Sequence, residues 1–297
     1  MRPTSTIALA LALAGPGCTI ELGKGGCDTA EVAAGPRFSA SRDWVEIAVG
    51  GLFSCGRRAS GAVVCWGADP PELGGAGGVG LAAGYAHACA VNDVGDVICA
   101  GRDDAGQAQP PAAALSGLAL GGAHSCGIDD AGAVLCWGRD DEGQASAPAG
   151  LEASALAAGW RHSCAAGPDG LACWGAVPAA EAQGGGLVDA PEALSAVALA
   201  AGLDHSCAVD AGGALACWGA AGAAVEDTPT EGAFVAVAAG ADLSCGLGAG
   251  GGLRCWGAGA GATDAPGGRG WAAVDADAGG RHACALGADG SLACWGA

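Results

Sequence analysis

Seven times along the chain a pair of cysteines recurs, ten residues apart in six copies and nine in the other, with a glycine between them and usually Trp-Gly directly after the second. The copies end at Gly67, Gly101, Gly138, Gly175, Gly219, Gly257 and Gly296. From the first cysteine of the first copy, Cys55, to that of the last, Cys284, is 229 residues in six steps, a mean period of about 38. A repeat of this length implies one supersecondary unit used many times, because a single unit cannot bury its own apolar face and must stack on its neighbours.

The spacing predicts that each unit holds a β-hairpin. A glycine stands six residues after every first cysteine, at Gly61, Gly95, Gly132, Gly170, Gly213, Gly251 and Gly290, where a tight turn needs a residue that tolerates positive φ. Apolar residues lie two positions inside the cysteines, as in Val91 and Val97 or Ile128 and Val134, so a strand period of two puts them on the cysteine face. Directly opposed residues approach to a Cα separation of about 4.5 Å, within bonding reach of two cysteines. The expected disulfides are Cys55 to Cys65, Cys89 to Cys99, Cys126 to Cys136, Cys164 to Cys173, Cys207 to Cys217, Cys245 to Cys255 and Cys284 to Cys294. Metal ligation is the weaker reading: a spacing of ten is not that of a zinc site, and the motif supplies no uniform further ligands.

Such staples answer a shortage in the composition. Only 4% of the residues are aromatic and 58 are glycine, so there is much backbone to order and few large side chains to bury. Sixteen cysteines also point to an oxidising compartment. Residues 1–17 read as a signal peptide, with one positive charge ahead of the apolar run IALALALAG at residues 7–15, too short to span a bilayer. Residues 18–27 then form a short linker, with Cys18 either lipidated or bonded to Cys27. Residues 28–297 are expected to be the folded domain. The net charge of −19 repels nucleic acid and anionic lipid headgroups, and favours basic partners.

Between the hairpins lie connectors of 16 to 24 residues, rich in Gly, Pro and Ala, that end in short apolar runs such as 118–120 or 197–200. Each has room for a loop and one or two more strands, giving units of up to four. Short strands at even spacing with a motif per unit describe an all-β, seven-bladed β-propeller, a linear solenoid being the alternative. The stretch 28–50 has the length of a connector and ends in Val45-Glu-Ile-Ala-Val. It is expected to complete the seventh unit and so close the N-terminal and C-terminal parts of the ring.

Four segments, LAAGYAHACAV, LALGGAHSCGI, LAAGWRHSCAA and LAAGLDHSCAV, together with the recurring CWG and with GRDDAGQ at 101–107 and GRDDEGQ at 138–144, resemble the regulator of chromosome condensation repeat family, and more closely its cysteine-containing exported bacterial branch. The resemblance spans roughly residues 40–297 and implies a seven-bladed propeller. The GQ element is degenerate after Gly175, Gly219 and Gly257, and Ala100 replaces the tryptophan of the second copy. The eukaryotic namesake of that family is a nucleotide-exchange factor that binds chromatin, and other relatives resemble it in presenting loops to a protein target. Fold alone does not carry function.

Most repeating polar residues are expected to build the ring. His87, His124, His162, His205 and His282 share one position, but Phe53 and Leu243 fill it in the other copies, which fits packing with ring nitrogens bonded to nearby backbone. The tryptophans of the CWG motif read as packing residues. The acidic loops 103–104, 129–130 and 140–142 lack the alternating ligands of a calcium loop and read as solvated. No serine-linked triad emerges, and no catalytic residue, metal site or cofactor is assigned. Residues that differ between copies are the candidates for recognition: Arg57, Arg58, Tyr85, Trp160, Arg161, Asp204 and Arg281. The expected function is an exported, monomeric, non-catalytic scaffold that binds a protein or cell-envelope component, at the surface or secreted. An extracellular enzyme acting on polysaccharide or peptidoglycan and an exchange factor like the namesake are the alternatives.

Overall fold

The computed structural model describes residues 37–38, 41–74, 78–176, 189–191, 194–220, 222–258, 264–268 and 270–296. The expected signal peptide, the linker and the Cys18–Cys27 alternatives lie outside the described residues. Each repeat forms one antiparallel sheet of three strands, inner, middle and outer, and the seven sheets make seven blades. Blade 1 is Trp44–Val49, Phe53–Arg58 and Val63–Gly67; blade 2 is Gly78–Ala83, His87–Asn92 and Val97–Gly101; blade 3 is Leu115–Leu120, His124–Asp129 and Val134–Gly138. Blade 4 is Ala155–Ala158, His162–Gly167 and Gly170–Gly175, and blade 5 is Ala196–Ala201, His205–Asp210 and Leu215–Gly219. Blade 6 is Phe234–Ala239, Leu243–Gly248 and Leu253–Gly257, and blade 7 is Trp271–Ala276, His282–Gly287 and Leu292–Gly296.

In every blade the middle and outer strands form the hairpin that the cysteine spacing predicts. The two cysteines are register partners in each, as in Cys126 opposite Cys136 with Ile128 opposite Val134. All seven disulfides are formed, with Cα separations of 4.0 to 4.1 Å. The seven turn glycines have φ between +73° and +102°, a region that a residue with a Cβ enters only at a cost.

Three strands per blade, with a fourth in blade 7, fall within the expected limit of four; the described connector residues otherwise hold turns, such as Asp103 to Gln109, and one short helix, Ala223–Glu226. One expectation needs correction, because the N-terminal stretch is divided between two blades. Arg37–Phe38 adds a fourth strand to blade 7 by pairing with Ala293 and Cys294, which closes the ring, whereas Trp44–Val49 is the inner strand of blade 1. The reason lies in the order of each unit: the apolar run before a hairpin is that hairpin's own inner strand, so the seventh hairpin already has one in Trp271–Ala276.

The core lies between blades. Six buried clusters each straddle one interface, including Trp44, Ile47 and Val49 of blade 1 against Leu286 and Leu292 of blade 7. Polar links between histidine and serine cross five of the seven interfaces. The Nε2 of His87, His124, His162, His205 and His282 lies 2.7 to 3.0 Å from Oγ of Ser125, Ser163, Ser206, Ser244 and Ser54, always in the following blade. The expected partner was nearby backbone, which His282 does meet at Phe53; the partner common to all five is a neighbour's serine. Ser125 and Ser163 in turn donate to the carbonyls of Gln107 and Gln144, which directs the imidazole Nε2–H toward the hydroxyl and leaves Nδ1 of His87 and His124 as unpaired acceptors.

At the two interfaces without a histidine the serine is gone as well. Phe53 meets Ala88, and Leu243 meets Ala283, each pair inside one apolar cluster. The position therefore comes in two matched forms, polar with polar or apolar with apolar, since a lone partner would be buried unsatisfied. A double-mutant cycle tests this. His124→Phe and Ser163→Ala should each cost on the order of 1–3 kcal/mol in denaturant unfolding, and the double variant should recover about 1 kcal/mol of their sum. Strictly additive losses would show that the pair is not coupled.

Candidate functional site: the loop face and the central channel

Inner and outer strands run the same way, so the loops between inner and middle strands share one face of the ring with the starts of the connectors, and the hairpin turns occupy the opposite face. On the first face a main-chain girdle runs from blade to blade. Tyr85, Gly122, Trp160, Leu203 and Ala241 donate their N–H groups to carbonyls of Gly121, Gly159, Gly202, Gly240 and Gly280 in the next blade, at 3.0 to 3.2 Å. Glycine is needed at the loop start because the backbones approach so closely: a Cβ on Gly84 would lie 2.5 Å from the Gly121 carbonyl oxygen and 2.6 Å from His87 Cε1.

The non-repeating residues divide between the two faces. Tyr85, Trp160, Arg161, Asp204 and Arg281 all stand in inner-to-middle loops and are brought together around one mouth of the ring. Tyr85 and Trp160 meet edge to face, with ring centroids 4.7 Å apart. Their rings reach across the axis. A Cβ on Gly279 of the seventh loop would sit 2.5 Å from Trp160 Cζ3 and 2.7 Å from Tyr85 Cδ2, and one on Gly51 of the first loop would sit 2.3 Å from Tyr85 Cδ2. The aromatic pair thus lies over the mouth, seated on glycines of the first and seventh blades. Arg161 links Glu142, at 3.1 Å, with Asp204, at 4.0 Å, in a half-exposed row beside it. Asp103, Asp104, Asp140 and Asp141 add an acidic rim on this face. Asp103 and Asp140 also close their own loops by accepting the N–H groups of Ala108 and Ala145, so they are more than solvated charge.

Arg57 and Arg58 sit elsewhere, at the far end of the first middle strand, near the opposite face. Both are engaged within blade 1: Arg57 Nε lies 2.6 Å from Glu46, and Arg58 pairs with Asp43 while its guanidinium stacks 4.3 Å from the Trp44 ring centroid.

Beneath the aromatic pair the inner strands of all seven blades surround a central channel of about 290 Å³. Six blades present alanine at one equivalent position, Ala48, Ala82, Ala119, Ala157, Ala200 and Ala238, and the seventh presents Asp275. Asp275 accepts the Val49 N–H at 2.7 Å across the blade interface. The seventh loop is also longer, with five residues between Ala276 and His282 where the second has three between Ala83 and His87. The extra length admits Asp277, which lines the channel, accepts the Gly279 N–H through Oδ2, and keeps a buried Oδ1 with no hydrogen-bond partner. Both carboxylates were missed in the sequence, although DADA in place of the AA of LAAG was visible before GGRHAC.

Burial pushes both carboxyls up to about 7, and Asp275 adds to the rise at Asp277. Burial pulls His87, His124 and His205 down to about 4 and His162 to about 3, and lowers His282. The histidines thus favour folding above their unfolded value near 6.5 and lose that contribution as pH falls toward 4. The two aspartates run the other way, favouring folding below about 4 and losing that contribution as pH rises through about 7.

The fold defined by these features is a disulfide-stapled seven-bladed propeller, whose variable loops gather on one face over the central channel. Residues 116–144 match the model of the regulator of chromosome condensation (RCC1) repeat. Among solved structures, the entire ectodomain of the Physcomitrella patens receptor kinase CR4 is similar at 25% identity and a TM-score of 0.69, over 85% of this chain and 74% of that one. The CRINKLY WD40 ectodomain of the Arabidopsis thaliana receptor kinase ACR4 is similar at 23% identity and a TM-score of 0.69, over 85% and 97% of the two chains. Prp20p of Saccharomyces cerevisiae is similar at 19% identity and a TM-score of 0.68, over 92% and 87%. No curated protein sequence matches the chain significantly.

Five histidines set against two aspartates make acid destabilising. The melting temperature should fall between about pH 7 and about pH 5, because there the unfolded chain takes up more protons than the native one. Asp275→Ala should gain on the wild type as pH rises over the same range, read by thermal unfolding in buffer free of divalent cations. A difference that does not change with pH would show that Asp275 is not buried as described.

Proposed function

We propose that this chain is an exported, non-catalytic propeller scaffold that binds a protein or cell-envelope component with its inner-to-middle loop face. The gathering of Tyr85, Trp160, Arg161, Asp204 and Arg281 around one mouth carries the reading, because these residues differ between copies and the ring itself does not require them. Aromatic and arginine side chains are frequent anchors of interfaces, and the acidic rim beside them suits a basic partner. Seven disulfides and the likeness to plant receptor ectodomains support an extracellular or exported setting. The yeast propeller Prp20p was described with its binding to Gsp1p and histones, and another structure has yeast RCC1 (Prp20) bound to Kap60; both are likenesses of fold in which a propeller engages proteins.

A hydrolytic role is less well supported. The two channel carboxylates sit together, but Asp277 is 3% exposed and lies beside the aromatic pair, which leaves it little surface to present to a polysaccharide chain. Export, the Cys18 anchor and the monomeric state belong to the same proposal.

Oxidised protein immobilised on beads should retain a specific envelope or secreted protein. Trp160→Ala combined with Arg161→Ala should lower that retention by about tenfold or more, as loss of a hot-spot pair does, while Arg57→Ala on the other face leaves it unchanged. Equal retention by all three, or turnover of a glycan by the wild type, would count against the proposal.

A further inference from the structure

The channel carries a feature that neither the repeat nor a loop-face binding role explains. Six blades close around it with alanine, which shows that the ring does not require an acid there, yet the seventh supplies Asp275 and an inserted Asp277. Two carboxylates brought together in one buried space cost free energy unless they take up protons or a cation joins them. Oδ1 of Asp277 states the same deficit in local terms: the residue is 97% buried by its 3% exposure, it borders the channel, and this oxygen has no partner.

The remaining lining defines the ligand. Apart from the two aspartates the channel residues are Ala, Leu, Val and Ile, so no sulfur or imidazole faces it. Inner strands are the free edges of their sheets, and an edge presents unpaired main-chain carbonyls as well as N–H groups. A donor set of two carboxylates and main-chain oxygens, with no nitrogen or sulfur, selects a hard cation over zinc or copper. Carbonyls contributed by separate blades impose no strict octahedron, which favours Ca²⁺ over Mg²⁺. We propose that the central channel is a calcium site, with Asp275 and Asp277 as its charged ligands and edge carbonyls of the inner strands completing the shell.

The site joins the seventh inner strand and loop to blade 1, because Asp275 also accepts the Val49 N–H. A bound ion would therefore brace the interface at which the ring closes. This role is independent of what the loop face binds.

The test is thermal unfolding of the full oxidised chain in millimolar CaCl₂ against NaCl of equal ionic strength. With the modest affinity usual for extracellular calcium modules, Ca²⁺ should raise the melting temperature by on the order of a few degrees. Asp275→Ala should abolish the rise and still fold, since alanine is what the other blades carry. Asp277→Asn, which keeps an oxygen for the Gly279 N–H, should abolish it too. Asp141→Asn on the exposed rim, where Asp141 is 81% exposed, should leave it intact. No calcium-specific rise in the wild type, or a rise that Asp275→Ala retains in full, would overturn the proposal.

Discussion

The ring depends on a bond between neighbours. In five of the seven blades a histidine at the start of the middle strand reaches the serine of the next blade, and the link from His282 to Ser54 joins the last blade to the first. Everything near it is shaped by that reach. The glycines three residues before His87, His124, His162 and His205 must lack a side chain, since a Cβ there would lie 2.3 to 2.7 Å from the imidazole Cε1, and Cys126, Cys164, Cys207 and Cys284 lie 3.6 to 3.7 Å from the serines that these links use. In two further interfaces the serine hydroxyl shares a carbonyl with the indole of its own blade: Gln107 accepts both Ser125 and Trp137, and Gln144 accepts both Ser163 and Trp174. One connector oxygen thereby ties the turn after one blade to the hairpin of the next. In a protein so poor in aromatic side chains, cohesion is distributed over small residues, short polar links and covalent staples.

Much of this was legible in the sequence because it repeats. A cysteine spacing of ten with a glycine at the sixth place admits few strand geometries, so the hairpins, their registers and their disulfides could be read directly. The assignment of Trp44–Val49 was harder, since an apolar run between two hairpins can serve either one, and only packing decides. The His–Ser pairing was visible in principle. Phe53 goes with Ala88 and Leu243 with Ala283, one repeat apart, but that correlation has meaning only once the blades are ordered in space.

The candidate site was legible in part, for the opposite reason. Tyr85, Trp160, Arg161, Asp204 and Arg281 stood out as departures from the repeat, and the loop geometry places them on one face. Arg57 and Arg58 were equally non-repeating, yet they serve blade 1 itself through Glu46, Asp43 and Trp44. Difference between copies marks a residue that the scaffold leaves unconstrained, or one that solves a local problem of its own blade, and sequence alone does not separate the two. Asp275 and Asp277 belong to no recurring motif, because they enter through a substitution and a small insertion in one copy.

The pairing of Arg37–Phe38 with Ala293 and Cys294 has a consequence in time. Each hairpin is local, its cysteines nine or ten residues apart, and can form and oxidise as soon as it is made. The latch cannot, because its two halves lie at opposite ends of the folded region and the cost of bringing them together falls on a single late step. Until then the chain is an open crescent of finished blades with a raw edge at either end. The covalent work is done early and piecemeal, and the ring becomes a closed object only when the outer strand of its seventh blade has been made.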